Sequence, residues 1–178
     1  MLSAPIVITG PEGDVVELAP VKTFLRIDGD ELDEEIRAYI DASIGEIERL
    51  TSTRIGAQQV ELRADHFDDL EHLTIGPVNA VAEITYRDAS GSDVTIDQAD
   101  YELFGAGLEK GIRPKPGRSW PRGAASQASG AIGVRLNVGY GDAIPPSISL
   151  ALKMDVRGRF DGVPFDLFAA TTNDRIWL

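Results

Sequence analysis

The sequence predicts an α+β protein: two principal packed helices, a short helix before them, a small antiparallel β insertion between them and an extended C-terminal tail. Three observations carry this reading. Apolar residues recur at helical spacing from Leu32 to Leu50, a face about 20 residues long. The middle of the chain consists of short alternating runs separated by Gly, Pro, Asp and Ser. Ile132, Val134, Leu136 and Val138 then alternate strictly with small or polar residues before Gly139, Gly141 and the pair Pro145-Pro146.

Ile6, Val7 and Ile8, followed by Gly10-Pro11 and Glu12-Gly13-Asp14, read as a short strand and a turn, with Val15, Val16 and Leu18 resuming the strand. The first helix is expected over about 20–27, with Pro20 in its first turn and Val21, Phe24 and Leu25 on one face. It should stop near Asp28-Gly29. The second helix is expected over 31–52, with Asp30 as its N-cap and Glu31, Asp33, Glu34 and Glu35 in a first turn where the helix dipole favours negative charge. Leu32, Ile36, Tyr39, Ile40, Ile44, Ile47 and Leu50 form its apolar face.

The β insertion is expected over about 58–138. Its strands are read at Val60 and Leu62, Leu73 and Ile75, Ala82, Ile84 and Tyr86, Val94 and Ile96, and Tyr101 and Leu103. Gly76-Pro77 marks a corner, and residues 88–92 mark a hairpin loop. Residues 108–116 are punctuated by Gly and Pro, and residues 123–130 are a loop of small residues. A proline fixes φ and lacks an amide, so Pro145-Pro146 suits an extended residue followed by a first helical turn. The last helix is therefore expected over 147–160, burying Ile148, Leu152, Val156 and Phe160, with Gly158 weakening its end.

Composition narrows the chemistry. At 178 residues and 43% apolar, the chain is read as one domain over 1–178 with a sizeable core. It has no apolar run long enough for a membrane span and no basic-plus-apolar leader, so a cytoplasmic setting without membrane contact is expected. The absence of cysteine excludes disulfides, thiolate zinc sites and cysteine nucleophiles. A net charge of −12 opposes bulk attraction to nucleic acid. The acidity is uneven: residues 1–75 hold 17 acidic and 6 basic side chains, residues 76–178 hold 12 and 11. This suits either a solvated helix face or a surface that must repel DNA.

No catalytic, cofactor or metal site is assigned. His66 and His72 stand six apart, which suits neither the helical nor the strand spacing of a metal pair. The acidic run 28–35 lacks the central glycine of a calcium loop. Gly105, Gly107 and Gly111 miss the dinucleotide fingerprint by one position and read as a turn. Ser43, Ser119 and Ser126 lack the strained elbow of a hydrolase nucleophile. The chain is expected not to be an enzyme.

VELAPVKTFLRID before DGDELDEEIRAYIDASIGEIERLTSTRI, then PVNAVAEITYRDASGSDVTIDQADYEL, GRSWP and VRLNVGYGDAIPPSI follow one another over most of residues 15–155. This order resembles the head-tail connector proteins (neck adaptors, or head-completion proteins) of long-tailed bacteriophages and gene transfer agents. These share an opening helix pair, a central hairpin, and a late strand ending in Gly-Tyr-Gly before a proline-led helix. The sequence departs from that pattern late, where Gly158 and Asp161-Gly162 interrupt a helix that is longer and smoother in the family.

The resemblance implies a structural adaptor in the virion neck, assembled in the bacterial host cytoplasm. Copies form a ring, typically of twelve, beneath the portal protein, and the ring meets a stopper or tail-completion protein below. DNA passes through without sequence-specific binding, and no cofactor is involved. Asp30, Glu31, Glu34 and Glu35 are then expected to line the channel. The alternatives are another neck component, such as a stopper or tail-completion protein, and a small acidic enzyme or ligand-binding module.

Two further segments are read as interaction surfaces. Lys110, Arg113, Lys115, Arg118 and Arg122 alternate with Gly and Pro around Trp120. They form either a surface loop with a core-anchoring tryptophan or, in a ring, a basic arm that meets a neighbour's acidic half. The tail 163–178 carries Phe165, Leu167, Phe168, Ile176, Trp177 and Leu178 without sustained helical periodicity. It either folds back on its own core or docks on the portal through these side chains. On the docking reading, residues 172–178 can be removed without unfolding the chain.

Overall fold

A computed structural model describes residues 1–122, 125–126 and 128–177. The strands are β1 (Ile6–Thr9), β2 (Gln58–Ala64), β3 (Val78–Arg87), β4 (Asp93–Thr95), β5 (Tyr101–Ala106), β6 (Glu109–Pro114) and β7 (Ile132–Val138). The helices are α1 (Leu18–Leu25), α2 (Asp33–Thr51), α3 (Pro146–Asp161) and α4 (Leu167–Ala170). Single 3₁₀ turns cover Phe67–Glu71 and Thr172–Asp174. The chain is α+β and divides into two compact units, one of residues 1–10 and 57–139, the other of residues 11–56 and 140–177.

The first unit is a five-stranded antiparallel sheet in the order β1-β2-β7-β3-β4, with a separate β5-β6 hairpin. β7 is central because its alternation places Ile132, Val134, Leu136 and Val138 in the core while Arg135 and Asn137 face solvent. β3 does not alternate as its sequence suggests. Register shifts between Val78 and Ala80 and between Val81 and Glu83 put Val78, Val81 and Ile84 inward and leave Ala82 exposed. Leu73 and Ile75 are core residues but form no strand; the Leu73 amide bonds to the Lys110 carbonyl at 2.9 Å. Trp120 is buried, stacked on Phe67 with ring centroids 5.0 Å apart and planes 9° apart. In the loop between β3 and β4, the Asp88 carboxylate accepts from the amides of Ser90 and Ser92 and the Ser90 hydroxyl.

The second unit packs α1, α2, α3 and α4 around Val21, Ile36, Ile40, Ile47, Ile148, Leu152, Val156 and Leu167. α2 buries Ile36, Ile40, Ser43, Ile47 and Thr51, while Tyr39, Ile44 and Leu50 flank this face half-buried and Leu32 stays exposed. Ser43 is polar in this stripe because its hydroxyl donates to Asp155 on α3 at 2.7 Å, and Arg159 donates to the same carboxylate oxygen at 2.7 Å. A buried carboxylate needs such donors.

Several boundaries differ from the sequence reading. Asp30 does not cap α2: Leu32 is the N-cap residue, without a side-chain bond, and the Asp30 carboxylate is drawn instead to Lys22 at 3.1 Å. Val15 and Val16 form no strand and Leu18 begins α1; Val15 packs beside Gly56, where a Cβ would stand 2.8 Å from its side chain. α1 ends at Leu25 with Arg26 as its C-cap, earlier than Asp28-Gly29. Phe160 is only half-buried, since the inward face of α3 runs through Ala151 and Asp155. α3 continues through Gly158 and stops at Gly162, whose φ of 68° closes it. The segment 108–116 is not merely punctuated: β6 pairs with β5 from Tyr101↔Pro114 to Ala106↔Glu109.

Candidate assembly surfaces

Three groups of side chains were expected to make contacts, and each has a distinct setting. At the start of α2, Lys22 of α1 binds both Asp30 and Asp33. Its ammonium is held above the ordinary lysine range, chiefly by the hydrogen bond to Asp33, with burial opposing and Asp30 adding to the rise. Glu35 accepts the Tyr39 hydroxyl at 2.7 Å, the leading reason the Tyr39 phenol is pushed up. Glu31 and Glu34 are exposed and have no ion pair among the described residues. Glu31, Glu34 and Glu35 therefore all keep their negative charge at this helix end, since the hydroxyl that Glu35 accepts is neutral, and they stand where the helix dipole favours it.

The basic residues do not form a projecting arm. Lys110 and Arg113 sit on β6, and hairpin pairing fixes their directions. The Lys110 ammonium donates to the Gly105 carbonyl at 3.0 Å. Arg113 binds Glu102 at 2.8 Å with its guanidinium 4.9 Å from the centre of the Phe104 ring. Lys115 donates to the Gln98 carbonyl at 3.2 Å, Arg118 pairs with Asp100 at 3.1 Å, and Arg122 pairs with Asp68. Each exposed pair is worth about 1 kcal/mol or less, so these contacts localise charge more than they hold the fold. Trp120 is anchored in the core, and the side chains of Arg113, Arg118 and Arg122 remain exposed beside their partners. Close in sequence, Gly123, Ala124 and Gln127 of the small-residue loop lie outside the described residues.

The tail is not extended throughout. Asp166 caps α4 by accepting the Ala169 amide at 2.9 Å, and a 3₁₀ turn follows at Thr172–Asp174. Leu167 is buried and Phe165 packs half-buried against the same core. The Ile176 amide bonds to the Thr51 carbonyl at the end of α2 at 3.0 Å, and Ser147 bonds to Asp174 at 3.1 Å. Residues 172–176 are thereby hydrogen-bonded within their own unit. Phe168 and Trp177 are the outward aromatics, 56% and 69% exposed. Between them the Arg175 guanidinium lies 3.5 Å from the Phe168 ring centre and 5.7 Å from that of Trp177. Leu178 lies outside the described residues.

The sequence offered signals for Trp120 and for the aromatic tail, but none for the pairing of each basic side chain, which depends on partners far along the chain. Among the described residues, no three His, Asp or Glu side chains gather as metal ligands would, and no helix is long and apolar enough to cross a membrane.

No family model and no curated protein matches this chain. Solved structures do match its fold over nearly the whole length. A chain in the neck of an empty gene transfer agent particle, computed with C6 symmetry, aligns with a TM-score of 0.79 at 18% identity, covering 99% of this chain and 97% of that one. A chain of a native gene transfer agent virion aligns at 0.78 and 20% identity with the same coverage. A chain in the neck of a native particle, computed with C12 symmetry, aligns at 0.66 and 18% identity, covering 96% of both. The fold is thus one that occurs in the necks of gene transfer agent particles.

Proposed function

We propose that this chain is a structural adaptor of a virion neck, copies of which form a ring beneath the portal and join the head of a phage-like particle to its tail. The observation that carries this is the end-to-end correspondence with a chain of a sixfold-symmetric particle neck, with no substantial segment left over on either side. The C6 and C12 symmetries of such necks support a cyclic arrangement of copies, and twelve fits both. The role is geometric, not catalytic.

The side chains fit this role in two places. Glu31 and Glu34 present unneutralised negative charge, which a DNA channel needs if phosphates are to slide without salt-sensitive adhesion. Phe168 and Trp177 offer exposed aromatic area next to a positioned guanidinium, the composition favoured at binding hot spots, and we assign them to contact with the portal. Leu167 is committed to its own core and is not an anchor.

Disrupting the gene tests the proposal. The expected result is accumulation of DNA-filled heads and free tails that join when the wild-type chain is supplied. Complete, tailed particles without the chain would overturn it.

A further inference from the structure

β1 is the outer strand of the five-stranded sheet: it pairs with β2 on one side and, among the described residues, with no strand on the other. Ile6, Val7 and Ile8 are 57%, 52% and 47% exposed, so apolar side chains stand open on both faces of a strand with an unpaired backbone edge. A soluble protein ordinarily avoids this combination by shortening or charging its edges. β1 is itself short, four residues with a register shift between Val7 and Thr9, so what separates it from the opposite edge is charge: β4 begins with Asp93, paired to Arg87 at 3.3 Å.

Charge adds a second argument. No charged side chain occurs from Leu2 to Pro11, although the whole chain carries −12. Copies of so acidic a protein repel one another, and contact between them costs least where the surface is neutral and apolar.

We infer that the β1 edge, residues 6–8, is a seam between neighbouring copies of this chain. The inference rests on the ring proposed above. A cyclic ring of more than two copies joins two different surfaces at every contact, so β1 seats on a part of the neighbour other than the neighbour's β1. The seam supplies partners for the open backbone edge and removes Ile6, Val7 and Ile8 from water.

The chain has no cysteine, so Val7→Cys introduces its single thiol, on an exposed side chain. The full-length variant is labelled with a benzophenone maleimide, added to heads from cells lacking the gene, and irradiated. The expected product joins two copies of this chain, with the label attached outside residues 1–10 of the second copy. A product with another virion protein, a β1-to-β1 product, or no product from particles that contain the labelled chain would each overturn the seam. Heads that take up no chain even when wild type is supplied would remove the ring reading instead. A second variant, Ile6→Lys with Ile8→Lys, is expected to melt as wild type does but to enter particles at least tenfold less. Normal incorporation would count against the seam.

Discussion

The carbonyl oxygen of Val163 lies 2.6 Å from the point a Cβ on Gly158 would occupy, and the Val163 amide donates back to the Gly158 carbonyl at 2.8 Å. The residue that looks from sequence like a weakness in α3 is where the tail turns closely over the helix. Gly158→Ala sets two effects against each other. Alanine gains about 1 kcal/mol of helix propensity, but its methyl group collides with backbone that is tied to the same turn. The collision should win, so the variant is expected to be destabilised by about 1–2 kcal/mol in urea unfolding, in the range of overpacking. A more stable variant would show that the turn yields freely.

The tail separates into a structural part and an exposed part. Removing residues 172–178 takes away the buried Arg175 side chain and the bond from Ile176 to Thr51, and is expected to cost about 1–3 kcal/mol of stability. Trp177→Ala removes only an exposed ring and should change stability by less than about 0.5 kcal/mol while reducing attachment to portal-bearing heads. Thermal melting with a head-binding assay checks both. Loss of fold in Trp177→Ala, or full attachment, would go against the portal assignment.

Asp88 should report on the β3–β4 hairpin. Its carboxyl is held below the ordinary range, first by the Ser90 hydroxyl at 2.6 Å and then by the Ser92 amide at 2.9 Å. A depressed folded-state value means that the stabilisation is present above the unfolded aspartate value of about 3.9 and is lost as pH falls through the folded value. Ser90→Ala is expected to move the Asp88 titration upward, as followed by NMR. An unchanged titration would mean the hydroxyl bond is not formed in solution.

What the sequence made legible was local. α2 and β7 could be read because one face of each is buried along its whole length, so periodicity survives in the residue pattern. Elements whose state depends on distant partners were misread. Ala82 alternates with Ile84 and Tyr86 in the sequence yet is exposed, because the bulges in β3 are set by pairing with β7, which no short window contains. Asp30 looked like a cap because nothing in residues 28–35 indicates that Lys22 would claim its carboxylate. The pairing of the basic residues is not legible either, because Glu102 meets Arg113 across the β5–β6 hairpin, Asp100 meets Arg118 from just before β5, and Asp68 meets Arg122 from a distant 3₁₀ turn. Ile6, Val7 and Ile8 read as an ordinary strand; that they form an open edge is a fact of sheet order.

The acidic helix end can be tested without disturbing the core. Glu31→Lys with Glu34→Lys reverses two exposed charges that have no ion pair among the described residues, moving the net charge from −12 to −8. The helix-dipole loss should be about 0.3–1 kcal/mol per site, so the fold should persist. DNA packaging or delivery by particles carrying the variant is expected to fall, more steeply at low salt than at high salt. Unimpaired delivery at both would remove these residues from the channel wall.

The central claim is most directly tested by electron cryomicroscopy of purified particles, reconstructing the neck with the chain's fold fitted into the density. The account predicts one ring of this chain directly beneath the portal, with sixfold or twelvefold symmetry as in the necks that share its fold. Finding the chain in the capsid shell, at the tail tip, or absent from the particle would contradict it.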